Sequence, residues 1–436
     1  MDSYIVRTYD DASFLFDKRT SNALFFEGFL ADLAPSLLNN SIKEIPKGIL
    51  NDLDPKDHDN IKEDFQEMKI AIDNFISKKA KADNKNQEIT ENEAKTVMEE
   101  LSDYAVKHWQ IVNASIELTH CCNQRCEWCY LEDFIQKGLN IEDLQRIAKQ
   151  LSQIGAIFIL FTGGEIFVRP DTLEIMEEFN NYGFALELKT NGLALTPEII
   201  HRLEKLNLFN LQVSLYDIND GWSELTNSYY QSHSLKQNIL LLQELGIPLS
   251  VAVLVGNHNI EQLDLYKEWL DKIGVKEVFY NPYITPNRNG PGNEISYRLS
   301  YQQMEEKFLP FLKKVDGLFS PREYRNSSCE NQPACYAGRD QIAIDTQGVV
   351  YPYLDLRLPL GNIKEEKLQE ILEKREKILK PFRLNTIPKC HNCDIKKYCD
   401  SCVGTALLEN GDFKVPSQHK CDISRFYYAN RKEVVE

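Results

Sequence analysis

Residues 119–131 read THCCNQRCEWCYL, with four cysteines inside nine positions. Cys122, Cys126 and Cys129 are spaced Cx3Cx2C, and Trp128 stands just before the last. Thiols at this spacing suit metal ligation. Three thiolates on one short loop can hold three irons of a 4Fe–4S cluster, which leaves the fourth iron open to a ligand that reacts. A structural zinc ion would instead close its shell with a fourth donor, and His120 or Cys121 offers one. On this loop alone both readings stand.

A second group occupies the last quarter of the chain: Cys329, Cys335, Cys390, Cys393, Cys399, Cys402 and Cys421. Two CxxC pairs lie within it, five residues apart, as in a zinc ribbon. Eleven cysteines is an odd number, and clustering argues against a disulfide framework. The first residues, MDSYIVRTYDDASFLF, carry acids early and lack a positive-then-apolar signal pattern. A cytoplasmic location is therefore expected, where thiols stay reduced. A net charge of −16 argues against nucleic acid or an anionic membrane surface as partner. No apolar run approaches the ~18 residues of a membrane-spanning helix.

The elements that must position these cysteines follow from apolar periodicity. IVNASIEL reads as a strand that ends just before the first cluster. AIFILF, FALELKTN, LFNLQVSL, IPLSVAVLV and VKEVFYNPY are further strands. Amphipathic helices separate them, among them IEDLQRIAKQLSQIG closed by Gly155, TLEIMEEFNNYG ending at Gly183, and TPEIIHRLEKL with Thr196 as N-cap. This rhythm predicts an α/β fold with a parallel sheet and helices outside. Chemistry in such folds sits at the C-terminal strand ends, where the cysteine loop lies.

Before the sheet, YIVRTY and SFLFD read as strands and ALFFEGFLADLAPSLL as a helix. Together they suggest a small α+β, winged-helix-like unit. SKKAKADNKNQEITENEAK has almost nothing to bury and reads as a solvated linker or helix face. After the sheet come short strands (QIAIDTQGVVYPYL), a charged helix (EEKLQEILEKREKIL) and the cysteine-rich tail. The expected domains are residues 1–105, 106–315 and 316–436.

The Cx3CxΦC pattern with Trp128 at the aromatic position closely resembles the radical SAM superfamily. The next strand ends in TGGE (Thr162–Glu165), which resembles that family's GGE motif. The resemblance implies a partial (β/α)6 barrel. It also implies that S-adenosylmethionine (SAM) is chelated by the open iron and cleaved by one electron to a 5′-deoxyadenosyl radical. Gly163, Gly164 and Glu165 would bind the SAM amino group, while Asn191 matches a position that contacts its ribose or carboxylate and Ser214 one that contacts its ribose. Val253 and Leu254 could pack the adenine, although core packing explains them as well. Cys121 is assigned no role.

The tail resembles a SPASM domain, which carries two auxiliary iron–sulfur clusters with interleaved ligands. By that order Cys329, Cys335 and Cys402 would hold the first, and Cys390, Cys393, Cys399 and Cys421 the second. Tyr353 stands where the family has a hairpin cysteine, in Gly348-VVYP-Tyr353, and the last pair is one residue tighter than usual. The fourth ligand of the first auxiliary cluster would then be Tyr353, Asp355, water or substrate. The N-terminal unit resembles the RiPP recognition element, a domain that binds the leader of a ribosomally made peptide.

These resemblances imply a peptide maturase that takes electrons from a flavodoxin- or ferredoxin-type donor and joins a cysteine sulfur to carbon as a thioether. The alternatives are a carbon–carbon crosslink, epimerisation, oxidation of a residue as in sulfatase-maturing enzymes, and a non-catalytic zinc-binding interaction protein. The last explains the CxxC pairs but not Cx3CxΦC, TGGE and the βα repeat in that order.

Overall fold

The computed structural model describes residues 4–18, 22–51, 53–77, 97–206, 208–219, 221–230, 232–315, 333–399 and 402–431. At the N-terminus, β1 (Tyr4–Thr8), β2 (Ala12–Asp17) and β3 (Ala23–Glu27) form an antiparallel sheet in that order. The third strand corrects the sequence reading, which took ALFFE as the start of a helix. Its residues alternate between two cores. Leu24 and Phe26 join a cluster containing Leu15, Leu37 and Phe65, while Ala23 and Phe25 join one containing Phe14, Phe16 and Tyr104. A segment covered on both faces satisfies a period of two, so its continuous apolar run does not reveal its type. A 3-10 turn over Ala31–Leu33 leads into the α-helix, which begins at Ala34 with Pro35 in its first turn.

The helix His58–Ser77 covers one face of this sheet with Phe65, Met68, Ile72 and Phe75. Four apolar residues at helical spacing suffice to pack it there. The helix Val97–His108 buries Leu101, Tyr104 and Ala105, so it runs unbroken through residue 105. The linker stretch between these helices lies outside the described residues, apart from Ser77. The other face of the sheet packs Phe14 and Phe16 against Val112, Ile157, Phe158 and Ala185, at the N-terminal ends of the main sheet's strands.

The main sheet contains β4 (Asn113–Thr119), β5 (Phe158–Gly163), β6 (Ala185–Thr190), β7 (Leu208–Ser214), β10 (Leu249–Leu254) and β11 (Val278–Asn281). They run parallel in that order. A small hairpin, β8 (Gly221–Ser223) and β9 (Ser228–Tyr230), sits between β7 and β10. Thr196 accepts from the Ile199 N–H as the expected N-cap, and Asn140 likewise caps the helix Ile141–Gln153 from the Asp143 N–H. The chain leaves two helices through Gly155 (φ +81°) and Gly183 (φ +73°), where a side chain would be strained. Ile116, Leu118, Phe161, Leu188 and Val213 face the helices in one continuous core. Their strand neighbours Glu117, Thr162, Lys189 and Ser214 point to the opposite, concave face.

β11 does not pair with β4, so the barrel stays open. The free edge of β4 is taken by β12 (Gln341–Ile344), which pairs with it in parallel, followed by the antiparallel β13 (Val349–Tyr351) and β14 (Gly361–Asn362). The C-terminal segment thus continues the barrel's own sheet. Among the described residues no helix is long and apolar enough to cross a membrane.

Phe16 is 3% exposed and meets Phe158 and Phe209 edge-on at 6.1 and 5.8 Å. Phe16→Ala should cost about 3–5 kcal/mol and speed hydrogen exchange across β1–β3 while β5 and β6 stay protected. Unchanged exchange in β1–β3 would show that this ring does not dock the sheet.

Candidate functional site

The loop after β4 is held mainly through its backbone. Gly164 N–H donates to Thr119 O (2.7 Å) and Glu165 N–H to Cys121 O (2.9 Å). His120 N–H donates to Gln136 O, while Arg125 N–H and Glu127 N–H donate to Thr226 O and Leu225 O of the small hairpin. The Asn287 side-chain amide donates to Cys129 O (3.3 Å) and Leu131 O (2.9 Å). A Cβ on Gly163 would lie 2.2 Å from Thr119 O, and one on Gly164 2.3 Å from Cys121 O. No side chain fits between these two backbones.

Cys122, Cys126 and Cys129 are partly buried at this loop. Burial pushes the Cys122 thiol up to about 11. It also raises Cys126 and Cys129, and the charges of the neighbouring thiolates add to the rise at Cys126. Such thiols become thiolates when a cationic metal group offsets the cost. Among the described residues no three cysteine sulfurs lie within 4.8 Å of one another. One tetrahedral zinc with bonds of ~2.3 Å needs its sulfurs closer than this. His120, offered above as a zinc ligand, lies 3.6 Å from Glu117 and 3.5 Å from Asp133. Cys121 Sγ turns to Gln136 O (3.9 Å).

Glu165 is fully buried. Its carboxylate accepts from Thr190 Oγ1 (2.8 Å), Asn191 N–H (2.7 Å) and Phe167 N–H (3.0 Å), and burial raises its pKa. It therefore ties the end of β5 to the end of β6. Asn191 donates to Asn123 Oδ1 in the cysteine loop at 2.6 Å. Ser214 hydrogen-bonds the Tyr216 hydroxyl, and burial, then the charges of Cys126, Cys129 and Cys122, raise that phenol.

Trp128, 6% exposed, stacks on His258 at 4.6 Å and meets Tyr216 and Tyr297 at 5.5 and 5.6 Å. Its Nε1–H is buried without a hydrogen-bond partner. Burial pushes His258 down to about 4, so the ring is neutral near pH 7. Sequence reasoning missed Tyr216, His258 and Tyr297. For Tyr216 and His258 the signal available was an aromatic or histidine just past the end of a parallel strand, whereas Tyr297 carried none. Val253 is wholly in the helix-facing core, whereas Leu254 is half-buried on the other face.

In the tail, a cavity of about 60 Å³ is lined by Cys390, Cys393, Cys399, Cys402 and Cys421, with Lys420 among the surrounding cations. None of the five is in a disulfide. Arg425 lies 3.6 Å from Cys393 Sγ. Cys402 caps the helix Val403–Asn410 and accepts from Thr405 N–H at 3.3 Å. Its other neighbour is Cys335, which burial and the Cys402 charge push up to about 12. Burial, then Asp355, Cys402 and Cys335, raise the Tyr353 phenol. Tyr353 and Asp355 thus share one buried site with these two thiols. Gly404 permits this approach, because a Cβ there would lie 2.5 Å from Asp355 O. Cys329 lies outside the described residues.

The loop thiols, the glycine contact and the orphaned Trp128 N–H fit a cluster with a bound nucleoside beside it. Gly164→Ala should lower the iron retained per chain while far-UV circular dichroism is unchanged. Gly48, whose Cβ would meet nothing within 4 Å, supplies the control substitution. Full iron loading in Gly164→Ala would show that the glycine contact does not hold the loop.

Residues 116–270 match the Radical SAM superfamily, and residues 335–402 match SPASM, an iron–sulfur cluster-binding domain. The chain is similar to an AdoMet-dependent heme synthase of Methanosarcina barkeri, 24% identical over 68% of this chain and 92% of that one. It is also similar to the antilisterial bacteriocin subtilosin biosynthesis protein AlbA of Bacillus subtilis, 26% identical over 69% of this chain and 68% of the relative. In fold it resembles Streptococcus suis SuiB bound to the precursor peptide SuiA, with a TM-score of 0.62 and 14% identity over 94% and 96% of the two chains. Both domain matches fall on the two cysteine sites, so the chain carries a radical SAM domain, with its 4Fe–4S cluster and SAM, and a SPASM domain, with auxiliary iron–sulfur clusters.

Proposed function

We propose that this enzyme modifies a ribosomally made precursor peptide and closes a thioether between a cysteine sulfur and a carbon of the same peptide. The observation that carries the reading is the buried site of Cys335, Cys402, Tyr353 and Asp355, where a tyrosine replaces a cysteine. A cluster short of one thiolate there has an iron free for a substrate sulfur. The likeness to the subtilosin biosynthesis protein and to SuiB with its precursor peptide supports a peptide substrate. When bound, the clusters and SAM supply a 5′-deoxyadenosyl radical, an open iron for a substrate thiolate and an acceptor for the electron released as carbon and sulfur join.

Cys122, Cys126 and Cys129 would hold the first cluster. The second auxiliary cluster falls to Cys390, Cys393, Cys399 and Cys421, and the first to Cys335 and Cys402, with Cys329 as the third thiolate. The Gly163–Gly164 backbone and Glu165, Asn191 and Ser214 would orient SAM. Trp128 and neutral His258 would keep water from its adenosyl side. Holding the sulfur and the target carbon in one cavity turns their coupling into an intramolecular step. The electron donor would be a flavodoxin or ferredoxin of the cytoplasm, where the thiols stay reduced.

Residues 1–105, with the first three strands, would grip the leader, residues 106–315 would carry the radical chemistry, and residues 316–436 the auxiliary clusters. The β1 edge borders a groove of about 770 Å³ beside the helix Val97–His108, where an added strand would fit. That groove lies at the N-terminal strand ends and the cysteines at the C-terminal ends. Strands of six or seven residues at ~3.3 Å each separate the two by about 20 Å. The gripped leader and the modified residue must therefore be at least about six extended residues apart.

A second reading, a non-peptide substrate, is favoured by the likeness to the heme synthase over 92% of that relative. Anaerobically purified protein should hold about twelve irons, falling by about four when Cys122, Cys126 and Cys129 become Ala. With SAM, reductant and a cysteine-containing precursor, the peptide should lose two hydrogens and one alkylatable thiol. Loss of two hydrogens with every thiol still alkylatable would mean a carbon–carbon bond instead. Deleting the spacer below about six residues should abolish product while leader binding persists.

A further inference from the structure

One buried carboxylate has no part in the chemistry above. Glu117, on the concave face of β4, is 1% exposed. Three other segments converge on it. His120, at the root of the cysteine loop, lies 3.6 Å away. Arg288, from the segment after β11, reaches both carboxylate oxygens through its two terminal nitrogens. Arg357, beyond the C-terminal hairpin, donates to the same carboxylate at 3.4 Å. The second nitrogen of Arg357 reaches Asp345 in that hairpin at 3.3 Å, and its guanidinium lies 3.8 Å over Tyr351.

Arg288 also grips the cysteine loop. Its backbone N–H donates to Tyr130 O at 3.1 Å and its guanidinium lies 4.8 Å over the Tyr130 ring. Its charge is felt at Cys129 and at Asp355, beside the auxiliary thiols. Two guanidinium groups here face two carboxylates, Glu117 and Asp345. The balance is struck out of water, between the two candidate cluster sites, where a unit charge acts more strongly than in solvent.

We propose that Glu117 is a positioning residue that joins the cysteine loop to the C-terminal hairpin and, by offsetting Arg288 and Arg357, sets the reduction potential of the cluster at Cys122, Cys126 and Cys129. The inference rests on the reading that these three cysteines hold a 4Fe–4S cluster, whose potential follows the net charge and hydrogen bonds around it. Removing the Glu117 charge leaves one positive charge uncompensated near an anionic cluster. The reduced, more negative form is then favoured and the potential rises. Removing the Arg357 charge does the reverse.

The test is a redox titration of the full, cluster-loaded chain with titanium(III) citrate, followed by electron paramagnetic resonance. The signal that changes on adding SAM reports the first cluster. Glu117→Gln should shift its midpoint upward and Arg357→Gln downward, and the double variant should return close to the parent value. A packing defect would not be repaired by the second substitution. Unshifted midpoints in both single variants, or shifts of the same sign, would overturn the proposal. Should Glu117→Gln lose its iron, the sign of the Arg357→Gln shift decides, since Glu117 keeps Arg288 there. If the parent protein shows no SAM-sensitive signal, the three-cysteine reading fails and this inference with it.

Discussion

The contact on which the site depends is the meeting of two backbones at the ends of β4 and β5. Thr119 and Cys121 accept from Gly164 and Glu165, and neither Gly163 nor Gly164 leaves room for a Cβ. Four irons of one cluster need thiolates from a loop that cannot drift. A loop of ordinary surface character would do so, because its side chains bring little packing of their own. Here the loop's first turn is fixed by a neighbouring strand of the same parallel sheet. Glu165, turned back onto Thr190 and Asn191, passes that constraint on to β6.

The thiol sites also share an electrostatic condition. Burial disfavours the thiolates of Cys122, Cys126 and Cys129 in the first site and of Cys335, Cys402 and Cys421 in the tail. Ligation by iron reverses that cost, so the folded thiol sites gain stability from their clusters. Cations gather accordingly: Arg288 near Cys129, Arg425 near Cys393 and Lys420 near Cys402. A chain of strongly negative net charge thus keeps local positive charge where anionic clusters would sit.

The C-terminal segment reaches the barrel by an economical route. Pairing β12 with β4 continues the sheet on the strand that leads into the cysteine loop. The hairpin then carries Asp345, Tyr353, Asp355 and Arg357 towards the concave face. The N-terminal sheet closes the opposite, N-terminal ends of the strands with Phe14 and Phe16. The two attachments leave the C-terminal strand ends free for chemistry.

The strand–helix rhythm, the cysteine spacing and the TGGE step were legible in the sequence because each is local. A period, a spacing or a cap is set by residues within a few positions of one another. Three things were not legible. ALFFE hid its strand character because both its faces are covered, which removes the alternation that marks a half-buried strand. The helix His58–Ser77 hid behind its charges, since four apolar residues are enough against a small sheet. Glu117, Tyr216, His258, Arg288 and Arg357 are scattered over some 240 positions, and only the folded sheet gathers them around the cysteine loop. Chemistry-bearing types at short range were thus written in the chain. Which distant charges and rings surround them was decided by tertiary structure, because buried ionisable and aromatic groups take their partners from space and not from sequence.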